Sequence, residues 1–212
     1  IAAHTVCPRL RAALHEREDD DAHAHAGVVI VLVPSIIAAS DGDTIYVKLG
    51  NYSEEVILNK SLSLMPLIGE IGPIILSGQG KETGMTVSSD GCNLEGLTFQ
   101  GYSGAAVHLL SRKNRIENNV FEDASPAILA SGSEGNSING NLIMNCQGGV
   151  ALRDASENNS IDGNEITSCN ISIFLGEADG NSIIENNISD AYWGIWLDNS
   201  SQVQIEGNDI QS

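Results

Sequence analysis

Apolar residues recur at a period of about 22 through the second half of the chain. Leu94, Ile116, Ile138, Ile161, Ile183 and Ile205 follow one another in steps of 22, 22, 23, 22 and 22. A second series, Phe99, Phe121, Ile143, Ile166, Ile188 and Ile210, runs five residues behind in the same register. Asparagine stands three residues after each of the last five members of the first series: Asn119, Asn141, Asn164, Asn186 and Asn208. Another polar column, Asn114, Asn136, Asn159 and Asn181, precedes the first apolar position, with Cys92 at the equivalent place one repeat earlier. A fixed period of this length marks a solenoid, and it outranks local propensity.

Each repeat carries three short strands. Asn136–Met144 supplies two of them around a Gly140-Asn141 corner, and VALRD after Gly149 supplies the third. The third strand is expected to face inward through Val107/Leu109, Ala127/Leu129, Val150/Leu152, Ile173/Leu175 and Ile195/Leu197. The unit lacks the LxxLxLxxN spacing of leucine-rich repeats and any amphipathic helix. The pattern predicts an all-β, right-handed parallel β-helix of seven or eight coils, one repeat per coil, with like residues stacked vertically. The asparagine columns are read as structural ladders, placed at corners where Asn tolerates left-handed backbone.

Before the regular array the pattern changes. Residues 1–27 are charged and His-rich without an apolar period, and are expected to be flexible. Residues 28–40, ending in VVIVLVPSIIAAS, can hold a short strand and a short helix that cap the array, and 41–212 form the β-helix. Asp41–Val47 reads as a turn and a strand, with Gly50-Asn51-Tyr52 as the turn into EVILN. The chain stops at Ser212, two residues after Ile210, and Ile1 stands where Met would start a chain, so a piece of a longer protein is expected.

Charge narrows the partners. With 28 acidic against 10 basic residues the net charge is -18, which argues against nucleic acid or an anionic membrane. The apolar run from Ala26 to Ala39 is too short to span a bilayer. Six Asn-x-Ser sequons, at Asn51, Asn59, Asn158, Asn170, Asn187 and Asn199, are compatible with an extracellular, cell-surface or periplasmic protein. The four cysteines show no zinc-type clustering. Cys146 and Cys169 are 23 apart and should stack on neighbouring coils, either as buried free thiols, the simpler reading, or as a disulfide.

Specific residues carry a family likeness. Asp41-Gly42-Asp43-Thr44-Ile45, Gly50-x-Tyr52, Glu55-x-Ile57, Asn59-Lys60-Ser61-Leu62 and Ile68-Gly69-Glu70 resemble the opening coils of NosD-like proteins. The coils from Asn93 onward resemble the NxIxGNxI…GIxL repeats of the same family, clearest in Asn136–Ile143 with Gly149–Leu152. That family lies in the pectin-lyase-like superfamily and carries the domain named for carbohydrate-binding proteins and sugar hydrolases. The resemblance covers Asp41–Ser212 and implies the fold more than any one activity. Met65-Pro66 looks inserted, and the helix the family places before the DGDTI turn is reduced to Ser35–Ser40.

Candidate chemistry sits where the repeat is broken. Arg153-Asp154, Gly176-Glu177 and Asp198-Asn199 align on successive coils, so Arg153, Asp154, Glu177 and Asp198 form one edge. This edge is a candidate catalytic or sugar-contact patch, and Asp154 with Glu177 could hold calcium. Tyr192, Trp193 and Trp196 are the densest aromatic group; Trp196, between inward Ile195 and Leu197, should point outward as a sugar platform. The family's association with copper draws attention to His4, His15, His23 and His25 with Cys7, although these lie outside the resemblance. No catalytic signature of hydrolases or epimerases is present. The expectation is a non-catalytic exported module binding carbohydrate or a cell-surface protein. The alternatives are a lyase or epimerase acting on acidic glycans, and a copper-delivery accessory protein.

Overall fold

The computed structural model describes residues 32–67, 69 and 71–211. Among them, three parallel sheets run the length of the array, two of eight strands and one of seven, and every strand pairs with its counterparts one coil away. Each coil contributes one strand to each sheet, except the last, which among the described residues adds strands to the first two only, so the prediction of a right-handed parallel β-helix holds.

The apolar columns are the rungs of two sheets. Ile116 pairs with Leu94 on one side and Ile138 on the other, and Phe121 pairs with Phe99 and Ile143. All six are fully buried, each worth about 1.5–3 kcal/mol relative to exposure. The Phe99 and Phe121 rings stack with centroids 5.0 Å apart. The first column also continues backwards to Leu64 and Ile45. The sequence period hides these two, because Leu64 lies 30 residues before Leu94 and Ile45 only 19 before Leu64. Likewise Gly50–Tyr52, expected as a turn, is a strand of the second sheet paired with Ile74–Leu76.

Two asparagine ladders hold the corners. In the one through Asn119, each Oδ1 from Asn141 onward accepts the backbone N–H and the side-chain N–H of the preceding coil's Asn, as Asn141 does from Asn119 at 3.0 and 3.1 Å, while Asn119 Oδ1 accepts from the Leu97 N–H. The ladder Nδ2 also donates to a carbonyl on the first-sheet strand of the preceding coil, Ile116 in the case of Asn141, at 2.8 Å. These buried polar groups are therefore satisfied. The left-handed backbone falls one residue earlier than expected, on Gly96, Asn118, Gly140, Gly163, Glu185 and Gly207, with φ between 53° and 68°. The ladder Asn is held by its side chain, while the residue before it makes the turn.

One inward assignment needs correction. In the third sheet Ile128 and Ala130, and not Ala127 and Leu129, align with Val107/Leu109 and Val150/Leu152 and are fully buried. Ile128 stands seven residues after Phe121, as Val150 stands seven after Ile143, so the strand keeps the step of the coil above it. Leu129 is the larger side chain, yet its parity turns it outward.

The helix Leu32–Ala38 packs Leu32 and Ile36 on the first strands. It begins three residues before Ser35, the start that the family likeness implies. Glu54 accepts from the N–H groups of Leu32 and Val33 at 3.1 and 2.8 Å. Lys60 Nζ donates to the carbonyls of Ile36, Ile37 and Ala39 at 3.1, 2.8 and 2.7 Å. An acid at the N-terminus and a base at the C-terminus complement the unpaired helix-end groups and the helix dipole.

Candidate functional site

The outward face of the third sheet is a grid, because parallel pairing without slippage places equivalent side chains in vertical columns. One column runs Ile57, Thr86, His108, Leu129, Ala151, Phe174, Trp196. Beside it on one side stand Gly148, Ile171 and Trp193, and on the other Ser131, Arg153, Gly176 and Asp198.

Small residues in these columns open a groove of about 410 Å³. Leu129, Ala151, Gly148, Ile171 and Phe174 supply apolar surface, Gln147, Asn170 and Ser125 supply polar groups, and Arg153 stands opposite the amides. Gly148 matters here because it leaves space between Pro126 and Ile171; a Cβ on it would come within 3.1 Å of the Pro126 ring. The aromatic end continues beyond the groove. Phe174 meets Trp196 edge to face at 5.5 Å, Trp196 lies 5.6 Å from Trp193, and Trp193 meets Tyr192 at 5.4 Å. Tyr192 is 79% exposed, with Trp193 and Trp196 at 49% and 42%, so this row is open to solvent.

Arg153 and the aromatic group, two separate candidates in the sequence, thus belong to one surface. Phe174 joins them: the Arg153 guanidinium carbon lies 4.9 Å from its ring centre, a cation–π arrangement. Sequence reasoning misses Phe174, although Ile173-Phe174-Leu175 repeats the alternation of Ile195-Trp196-Leu197 one coil earlier. The amides Gln147 and Asn170 carry no sequence signal of their own.

The acidic candidates lie at the rim. Asp198 continues the Arg153 column. Asp154 and Glu177 follow in left-handed turns at φ 56° and 53°, exposed and outside the groove lining. They do not gather: among the described residues no group of three or more His, Cys, Asp or Glu could hold a metal ion. Calcium at Asp154 and Glu177 would have to be held by solvent-exposed turn residues on adjacent coils.

His108 stands in the central column two coils below Ala151, half-buried, with Nε2 3.2 Å from Ser131 Oγ. Burial pulls its pKa below the usual imidazole value. Beneath the groove's amide edge lie Cys146 and Cys169, buried and unbonded to each other. Each thiol donates to a carbonyl of its own coil, Cys146 to Met144 at 3.3 Å and Cys169 to Thr167 at 3.5 Å. The neighbouring Cys169 thiol and burial push Cys146 up, and the same neighbour interaction lowers Cys169.

Two solved structures share similarity with the chain. A rhamnogalacturonan lyase superposes with a TM-score of 0.44 at 14% identity, over 81% of this chain and 55% of that one. An alginate lyase, AlyF-OU02 in complex with G6, gives 0.40 at 12%, over 82% and 60%. The chain therefore spans less than two thirds of either protein. No curated protein matches it. The model of one family, described as periplasmic copper-binding protein (NosD), matches residues 37–212.

A copper ion does not fit what is described. His108 is bonded to a serine, and the cysteine pair offers two buried sulfurs without a third ligand among the described residues. His4, His15, His23, His25 and Cys7 lie outside the described residues. Among the described residues no helix is long and apolar enough to cross a membrane. The match over residues 37–212, with the unbroken stack of coils beneath it, makes this chain a member of the NosD family of periplasmic β-helix proteins.

Proposed function

We propose that this chain is a non-catalytic β-helix module that binds a glycan in the groove on the outer face of its third sheet. The groove's composition carries the reading. Apolar and aromatic surface suits the C–H faces of a pyranose, while Gln147, Asn170, Ser125 and Arg153 present donors and acceptors to its hydroxyls. Trp196 and Trp193 extend the platform along the coil axis.

The charge pattern favours binding over cleavage. Acid–base cleavage needs one group to take a proton and another to return it. Among the described residues, Arg153 is the only ionisable side chain lining the groove, so the lining offers no second group to complete such a proton cycle.

The test is a glycan array followed by calorimetry on the positive sugars, comparing the native chain with Trp196→Ala and Gln147→Ala. Binding that falls at least tenfold in both variants, with no new reducing ends or unsaturated products, supports the module. Release of unsaturated uronides would establish a lyase instead. An array without any sugar ligand would leave a protein partner as the occupant of this face and reject the reading.

A further inference from the structure

Cys146 and Cys169 occupy equivalent places on adjacent coils, between the second-sheet and third-sheet strands. The coils are in register there: the Asn170 N–H donates to the Cys146 carbonyl and the Ile171 N–H to the Gln147 carbonyl, both at 3.2 Å. In-register parallel neighbours stand about 4.8 Å apart, inside the Cα range that a disulfide spans. Both side chains are buried, on the same side of the wall, and the flanking pairs Met144 with Thr167 and Gly148 with Ile171 set Cys146 directly opposite Cys169.

We infer that Cys146 and Cys169 form a disulfide that ties together the two coils carrying Gln147 and Asn170. Each cysteine directly precedes one of these groove residues in the chain. Closing the bond fixes the spacing of the two amides, and only this consequence rests on the groove being the binding site.

The chemistry is thiol–disulfide exchange with an external disulfide, either a small-molecule disulfide or a disulfide oxidoreductase. The Cys169 thiolate attacks one sulfur of that disulfide and expels the other as a thiolate, giving a mixed disulfide. Cys146 loses its proton, attacks Cys169 Sγ and expels the second thiolate. Two protein thiols give up two electrons and two protons, and one external disulfide becomes two thiols. Burial confines the exchange to moments when this coil is open, as during docking of the coils. A periplasmic family resides where such bonds persist.

The experiment incubates the purified full chain with oxidised glutathione in urea below the unfolding transition. It then alkylates the remaining thiols under denaturing conditions and maps the peptides by mass spectrometry. We expect a Cys146–Cys169 linked peptide and a melting midpoint raised by roughly 5–10 °C over the reduced chain, the rise being absent in Cys169→Ser. Alkylation of both thiols, pairing with Cys7 or Cys92, or a linked pair that fails to raise the midpoint would overturn the inference. The peptide map involves no sugar, so it stands or falls separately from glycan binding.

Discussion

The Phe174 ring lies across the backbone of Gly176: a Cβ built on Gly176 would sit 2.8 Å from both Cε1 and Cζ of that ring. The absence of a side chain two residues on is what lets Phe174 lean towards the Arg153 column and carry the guanidinium at 4.9 Å. Gly176→Ala should push the ring off the sheet and separate it from Arg153. A cation–π interaction at an exposed site is worth about 0.5–1 kcal/mol, so the melting point should move little. The near-UV circular dichroism of Phe174 and Trp196 should change, and glycan affinity should fall severalfold. An unchanged near-UV spectrum would contradict the packing described.

Asn141→Ala should be far more costly than any substitution on the outer face. It strips the acceptor from the Asn119 N–H and the donor from the Ile116 carbonyl, both in the interior wall. Two stranded buried groups at about 1–3 kcal/mol each give a loss of about 2–6 kcal/mol, measurable by urea unfolding. Asn141→Asp should not rescue it, since a carboxylate has no N–H to donate.

Tyr102 lies in a cradle of two glycines. A Cβ on Gly78 would meet its ring at 2.6 Å and the Gly101 carbonyl at 2.4 Å; one on Gly84 would meet the ring and the Ala106 carbonyl at 2.6 Å. Backbone cannot yield as a side chain tip does, so Gly84→Ala should destabilise by about 1–3 kcal/mol. Tyr102→Phe should be neutral or stabilising, because its Oη is buried without a partner among the described residues. Burial also raises the phenol pKa to about 12. Difference absorbance during alkaline titration should show a phenol step near 12 that is absent in Tyr102→Phe.

His108 gives a signed pH effect. Its folded pKa lies below the ordinary 6.5, so the unfolded chain binds a proton that the folded chain resists. The neutral ring's contribution is complete above pH 6.5 and is lost as pH falls through the folded value. Comparing urea midpoints between pH 8 and 5, the native chain should lose more stability than His108→Asn. Parallel profiles for the two proteins would refute the assignment.

Lys60→Met should free the helix Leu32–Ala38 while leaving the coils intact. The substitution keeps the aliphatic stem and removes the ammonium from three carbonyls. Charge-assisted hydrogen bonds contribute about 1.5–3 kcal/mol. Hydrogen exchange in the helix should accelerate by at least tenfold, with protection at Ile116 and Ile138 unaltered.

The regular coils are legible in the sequence because their inward residues repeat at a nearly constant step; spacing alone places Ile116, Ile138 and Ile161. The first coils are not, since the distances from Ile45 to Leu64 and on to Leu94 differ by eleven residues. Leu129 misleads for a different reason: beside the small Ala130 it looks like the core residue of its strand, and only the pairing shows that the alanine faces in. At the candidate site, Trp196 announces itself by residue type and parity. Gln147, Asn170 and Ser125 do not, because polar residues on an outer face look alike until the small residues between them, Gly148 and Ala151, open a space.

The in-register stacking of the third sheet has a metrical consequence. A linear molecule lying along the Leu129, Ala151, Phe174 and Trp196 column meets a new protein rung about every 4.8 Å. A polymer whose own repeat matches that interval stays in phase from one coil to the next, and each added unit finds the same kind of neighbour. One with a different pitch drifts out of step within a few units, however well its first residue fits. If a polymer binds along this column as proposed, the wall of the β-helix acts as a ruler, and it would sort chains by period as well as by chemistry.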